Sequence, residues 1–145
     1  MALNDIVLEW LKRYRVQSLV NAPCAGVDCV RLRNELGIRD IICVNIISVN
    51  AEHVQADLCF WKPTRPFDAA YVNCLFCVTN NSPTGSKEDI ANNMSTWTVK
   101  RFIFYDTVYE IDWKNAFENN GWTRTESGSS HEPPPTRSEV WERAT

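Results

Sequence analysis

The residues best suited to chemistry in this chain form a turn rather than an array of acids and bases. An apolar run, Ser18-Leu19-Val20, ends abruptly in Asn21-Ala22-Pro23-Cys24-Ala25-Gly26, and helix-like sequence begins near Val27. Small residues at such a turn let a ligand approach the main chain. The N–H groups that open the following helix point back at that ligand. Strand, small-residue turn and helix together make the opening of a nucleotide-binding βαβ unit. Acid–base and metal chemistry are served less well. His53 falls between two apolar segments and His131 in a proline-rich stretch, and there is no third histidine. Cys74-x-x-Cys77 has the spacing of half a zinc site, but no second pair with that spacing follows, so no metal is expected.

Leu19-Val20-Asn21-Ala22-Pro23-Cys24-Ala25 resembles motif I of the Rossmann-fold (class I) S-adenosylmethionine-dependent methyltransferases, especially small ones that read "VLDAPCG" here. Asn21 stands in place of the acid and Ala25 in place of the first glycine. The resemblance implies S-adenosylmethionine as cofactor, with Asn21, Ala22, Pro23, Cys24, Ala25 and Gly26 running under its methionine part. It assigns Asn45 and Ile46, after the second strand, to the place where the family usually reads "VD" or "VE" and a carboxylate accepts bonds from the ribose hydroxyls. An amide can accept one such bond and donate another, without the charge assistance of a carboxylate. Asp57 falls where an acid meets the adenine amino group, and Leu58 would flank the ring. Asn73 and Phe76 match the ends of the "NPPF" motif of amino-group methyltransferases, in which the asparagine accepts a bond from the target amine and the aromatic stacks on the base. Cys74-Leu75 replace the two prolines. Asn73 is therefore the candidate for a catalytic and substrate-side polar group as well as a cofactor contact, and Phe76 a candidate substrate contact.

Each of these positions also has a plainer reading. Asn21–Gly26 has a second, less favoured reading as a tight strand-to-helix turn with no ligand, while Asn45 reads equally as a strand-end turn residue and Asp57 as a surface carboxylate. Methyl transfer asks little of side chains, because the sulfonium is already an excellent leaving group and in-line positioning can supply much of the rate. The absence of an obvious base therefore does not exclude it. Replacement of two cofactor-facing acids by Asn21 and Asn45 bears on it more directly. The alternative is a non-catalytic descendant of the same fold that serves as an interaction or structural module. A different nucleotide-binding α/β protein is disfavoured by the lack of a P-loop Gly-Lys-Ser/Thr and of a complete Gly-x-Gly-x-x-Gly.

Elements must position these residues. Asn4 can cap a leading helix over 4–15, where Ile6, Val7, Trp10, Leu11 and Tyr14 share one face. The spacing predicts a first strand at Val16–Asn21 and a helix at Val27–Leu36, with Gly37 at the C-cap position. Ile41–Ile47 is an almost unbroken, β-branched apolar run, as expected of a strand buried on both faces of a parallel sheet. Further strands are expected at Val54–Leu58, ending at Asp57, at Ala69–Val72 and at Arg101–Val108. Helices are expected at Lys87–Trp97, behind a Ser86 cap, and at Ile111–Asn120. Trp122–Glu126 and Ser138–Trp141 read as a closing strand pair joined by the polar, proline-rich stretch 127–137. Alternation of strand and helix implies parallel strands with right-handed crossovers. The expected architecture is α/β, a doubly wound, mostly parallel seven-stranded sheet with one antiparallel strand and helices on both faces. It is read as one domain over 1–145: leading helix 1–15, core 16–126, loop 127–137, and last strand and tail 138–145.

Composition agrees with a globular chain. The 145 residues include 44% hydrophobic and 23% charged, enough to bury a real core. A net charge of −3 gives no reason to expect non-specific nucleic-acid binding. Arg13, Arg15, Arg31, Arg33 and Arg39 are read as solvated helix faces. No run approaches the ~20 apolar residues of a membrane span, and the first residues do not read as a signal peptide, so the expected location is cytoplasmic. The six cysteines are then read as buried free thiols. The acceptor is not readable from the sequence. Its contacts are expected from the loops at 59–66, 79–86 and 127–137 or from a partner subunit, which leaves room for a homo-oligomer. In the first loop Phe60 and Trp61 are read either as a stacking surface for a flat substrate or as anchors to the core.

Overall fold

The computed structural model describes residues 5–22, 26–45, 53–73, 87–107, 113–130 and 136–143. In chain order these form α1 (Asp5–Arg13), β1 (Ser18–Asn21), α2 (Gly26–Leu36), β2 (Asp40–Asn45), β3 (His53–Gln55), β4 (Phe67–Asn73), α3 (Lys87–Met94), β5 (Val99–Thr107), α4 (Trp113–Asn119), β6 (Trp122–Ser130) and β7 (Thr136–Arg143). The seven strands make one sheet in the order β3-β2-β1-β4-β5-β7-β6. The five strands from β3 to β5 run parallel, and β7 is antiparallel to both of its neighbours. The mostly parallel, doubly wound architecture expected from the sequence is the one observed.

Side-chain alternation along the central strands divides the core into two layers. Val20, Ala70, Val72, Phe102, Phe104 and Trp141 face one side and pack with Ile90, Ala91 and Met94 of α3 and Ala116 and Phe117 of α4. Leu19, Ala69, Tyr71, Ile103 and Val140 face the other and pack with Val7, Trp10 and Leu11 of α1 and Leu32 of α2. A strand covered on both faces needs apolar residues at odd and even positions alike, hence the unbroken apolar runs. The first layer is largely aromatic. Phe102 meets Phe117 edge-on at 4.9 Å and Trp122 at 5.0 Å between ring centroids.

Helix ends follow local chemistry. Gly37, at φ +66°, closes α2 as expected, its N–H donating to the Arg33 carbonyl at 3.0 Å. At the end of α1 the same left-handed position falls on Arg15, at φ +52°. Val16 N–H reaches Leu11 O at 3.1 Å and Arg15 N–H reaches Lys12 O at 3.0 Å. This is a Schellman closure, with Val16 and Leu11 buried together behind it.

Several expected boundaries need correction. The third strand is His53–Gln55 and stops before Asp57. The third helix ends at Met94, three residues before Trp97. There the Ser95 and Thr96 hydroxyls donate to the carbonyls of Asn92 and Asn93 at 2.7 and 2.6 Å, competing with the helical ladder. The stretch 127–137 is not all loop. β6 runs on to Ser130 and β7 begins at Thr136, in continuous antiparallel register from Ser127↔Glu139 to Ser130↔Thr136. The polar residues there gave no apolar alternation, but a strand beside β7 at the edge of the sheet does not need it. The reading of all cysteines as free thiols also fails. Cys29 of α2 and Cys43 of β2 form a disulfide, while Cys59 is a buried thiol. Cys24, Cys74 and Cys77 lie outside the described residues.

Candidate functional site

The strand order reverses at β1, which has β2 on one side and β4 on the other. Open α/β sheets bind ligands outside the carboxyl ends of their strands at such a switch point. The register gives this one its shape. Asn21, the last residue of β1, is level with Cys43 on β2 and Tyr71 on β4. Those two neighbours continue for two more residues, to Asn45 and Asn73. The central strand therefore ends two residues before its neighbours, a stagger of about 6–7 Å of strand rise, called the notch below. The chain leaves β1 at this notch, with Ala22 N–H still donating to Tyr71 O at 3.0 Å. The next described residue, Gly26, is the first of α2. The helix start and its N–H groups thus stand beside the notch, an arrangement suited to an anionic or strongly polar ligand group.

The expected site residues divide accordingly. Asn21, Asn45 and Asn73 end three adjacent strands around the notch, and Gly26 opens the helix beside it. Pro23, Cys24, Ala25, Ile46 and Phe76 lie outside the described residues. The Asn21 side chain is fully buried, and its Nδ2 donates to Cys29 Sγ at 3.5 Å. Ala22 is likewise fully buried.

Asp57 sits two residues past β3, in a turn rather than on a strand end. Its Oδ1 accepts from Cys59 N–H at 2.9 Å, and its carbonyl accepts from Phe60 N–H at 3.0 Å and Trp61 N–H at 2.9 Å. The carboxylate is half-buried and Leu58 is fully buried. This turn is held from below by Asn93 of α3, whose Nδ2 lies 2.8 Å from both Leu58 O and Trp61 O. Trp97 Nε1 adds a bond to Trp61 O at 3.1 Å. Asn93 was not legible as a positioning residue, because its partners are main-chain carbonyls more than thirty positions away. The pair Phe60 and Trp61 divides cleanly. Trp61 packs edge-on to Trp97 at 5.2 Å and is an anchor, whereas Phe60 is 71% exposed.

Among the described residues no group of three or more His, Cys, Asp or Glu side chains could hold a metal ion. No described helix is long and apolar enough to cross a membrane.

No protein-family model matches the chain, and no curated protein matches it in sequence. Solved structures do match in fold. Magnesium protoporphyrin IX methyltransferase from Synechocystis PCC 6803 with bound S-adenosylmethionine superposes with a TM-score of 0.71 at 14% identity, over 97% of this chain and 77% of that one. An S-adenosylmethionine-dependent methyltransferase from Clostridium acetobutylicum gives 0.67 at 8% identity, over 97% and 90%. The 1,6-didemethyltoxoflavin-N1-methyltransferase of Burkholderia thailandensis, with S-adenosylhomocysteine bound, gives 0.68 at 11% identity, over 95% and 76%. The chain has the fold of the class I S-adenosylmethionine-dependent methyltransferases. At these identities the likeness is one of fold, and activity has to be argued from the site.

Proposed function

We propose that this chain is an S-adenosylmethionine-dependent methyltransferase, acting in the cytoplasm, that binds its cofactor in the notch at the end of β1. The observation that carries the reading is the register of the sheet: the short central strand, its longer neighbours and the helix start at Gly26 converge on one crevice. When bound, the cofactor supplies a methyl group already activated on a sulfonium. What remains for the protein is to bind and orient, which backbone and amide groups can do. In this reading residues 22–25 run under the methionine part, Asn45 meets the ribose and Asp57 meets the adenine amino group. Asn73, ending the strand on the far side of the notch, orients the acceptor.

A second reading, a non-catalytic module on the same fold, draws support from Asn21. Its amide is wholly buried and bonded to Cys29 Sγ, so the residue replacing the family's acid serves the helix contact. Isothermal titration with S-adenosylmethionine and S-adenosylhomocysteine separates the two. The methyltransferase reading expects binding below millimolar concentration that weakens about tenfold or more in Asp57→Ala, the loss typical of a hydrogen bond to a charged group. Absence of heat and of any thermal shift with both ligands at millimolar concentration overturns it in favour of the module.

A further inference from the structure

We propose that a groove at the amino ends of β1, β4 and β5, at the opposite end of the sheet from the notch, binds a small organic carboxylate with an apolar body. Ser18 opens β1, Phe67 and Asp68 open β4, and Val99 and Lys100 open β5. Arg143 closes β7, which runs antiparallel to β5 beside it. Together with Pro66 and Thr98 these residues line a groove of about 350 Å³. That lies at the lower end of small-molecule sites, ~300–1,000 Å³, and is more room than an inorganic ion fills. The notch is at the carboxyl ends of the same strands, so the groove is separate from the site assigned to the cofactor.

The charges of the lining decide the class of ligand. Arg143 is part-buried, and its Nη2 donates to Ser95 O at 2.8 Å and Trp97 O at 3.0 Å while the guanidinium lies over the Trp122 ring at 4.4 Å. All of these partners are neutral. The neighbouring Glu142 pairs with Arg101 instead, at 3.2 Å, and among the described residues no carboxylate pairs with Arg143. Burial pulls the Arg143 pKa below its ordinary value, and no acid works against it. Its Nε is buried with no hydrogen-bond partner among the described residues. A part-buried cation without a counter-charge is costly, and an anion meeting the guanidinium relieves that cost. Lys100 Nζ stands 3.6 Å from Asp68 Oδ1, and Asp68 Oδ2 accepts from Gln17 N–H at 2.9 Å and Ser18 N–H at 3.2 Å. Lys100 and Arg143 against Asp68 leave the lining a surplus of one positive charge. A carboxylate cancels that surplus and matches the guanidinium fork, whereas a phosphate dianion overshoots it beside Asp68. Ser18 Oγ accepts from Asp68 N–H at 2.8 Å and keeps its own proton to donate. Pro66, Phe67 and Val99 give the groove its apolar wall, against which an apolar body can lie.

The test follows backbone amide shifts of the full chain by two-dimensional NMR as benzoate is added at constant ionic strength. Benzamide serves as the uncharged isostere and inorganic phosphate as the dianion. The expected result is saturable benzoate shifts at Ser18, Asp68, Val99 and Lys100 in the millimolar range, with benzamide and phosphate both binding more weakly. Arg143→Met should remove the saturation. Because Arg143 also holds the carbonyls of Ser95 and Trp97, two variants that leave it in place carry the test if that one does not fold. Lys100→Met, at a side chain 74% exposed, should weaken benzoate about 2–5-fold, and Asp68→Asn, whose amide oxygen still accepts the two N–H groups, should tighten it by about the same factor. Opposite movements in the two variants report the charge of the groove, which apolar adhesion does not reproduce. The absence of saturable shifts, shifts confined to residues around the notch, benzamide or phosphate binding as tightly as benzoate, or affinity unmoved in both Lys100→Met and Asp68→Asn each overturn the carboxylate site.

Discussion

At the scale of single residues, the best-defined electrostatic knot lies away from the notch, where α1 meets β6. Glu126 accepts hydrogen bonds from the Arg13 guanidinium and the Tyr14 hydroxyl, and Arg101 lies over the Tyr14 ring at 4.3 Å while pairing with Glu142 at 3.2 Å. Partial burial pushes the Glu126 carboxyl up, but the hydrogen bonds from Tyr14, Arg13 and Trp10 and the charge of Arg13 outweigh it and hold the carboxyl below its ordinary value. A carboxyl lowered in the folded state stabilises fully above the unfolded value, about 4.5 for glutamate. That contribution is lost as pH falls through the folded value. Asp68 behaves alike: burial raises it, and the N–H groups of Gln17 and Ser18 with the charge of Lys100 bring it down. The melting temperature should therefore drop as the pH falls below about 4.5, and Glu126→Gln should flatten part of that drop. Equal slopes for the variant and the parent chain would show that the knot contributes nothing in solution.

At the scale of elements, the closure of α1 is where sequence and backbone disagree most plainly. The left-handed position that closes a helix ordinarily carries glycine, as Gly37 does at the end of α2, yet α1 places Arg15 there. A side chain with a Cβ pays roughly 1–2 kcal/mol in that conformation. Arg15 is exposed, so its removal opens no cavity. Arg15→Gly should stabilise the chain by about 0.5–1 kcal/mol, the strain relief being reduced by the greater freedom of glycine in the unfolded state. Chemical denaturation measures it, and a loss of stability would mean that the Arg15 side chain makes a contribution larger than its strain. The same element shows how much its sequence revealed. The face of Val7, Trp10 and Leu11 was legible from spacing alone and is buried as expected. The end of the helix was not, because Arg15 carries no mark of a left-handed turn.

At the scale of the whole molecule, what was legible followed from burial. Strands sandwiched between helix layers must be apolar throughout, and the run Ile41–Ile47, with the alternation of strand and helix, announced a parallel sheet for that reason. The places of Asn21, Asn45 and Asn73 at strand ends were read through the motif I resemblance, and the strand order that brings them around one notch is given by the structure. Three features escaped. The 127–130 and 136–137 extensions of the hairpin are held by backbone pairing rather than by side-chain pattern. The turn at Asp57 depends on Asn93, and the Cys29–Cys43 bridge on a contact between a helix and a neighbouring strand. Contacts distant in sequence leave no local pattern to read.

The sheet itself makes the final prediction. Its two halves differ in chemistry, with the rings of Phe102, Phe104, Phe117, Trp122 and Trp141 crowded over β5, β7 and β6, and aliphatic residues dominating around β1 and α2. β4 joins them, pairing with β1 on one side and β5 on the other. If the chain is one domain, the halves unfold together. Near-ultraviolet dichroism, weighted toward the clustered rings, and far-ultraviolet dichroism, which reads the backbone of both halves, should give coincident denaturation curves. Phe102→Ala removes the ring at the centre of the aromatic layer and should cost about 3–5 kcal/mol, moving both curves by the same amount. A near-ultraviolet transition that shifts while the far-ultraviolet one splits in two would show that β4 does not couple the halves, and that the sheet holds two cooperative units.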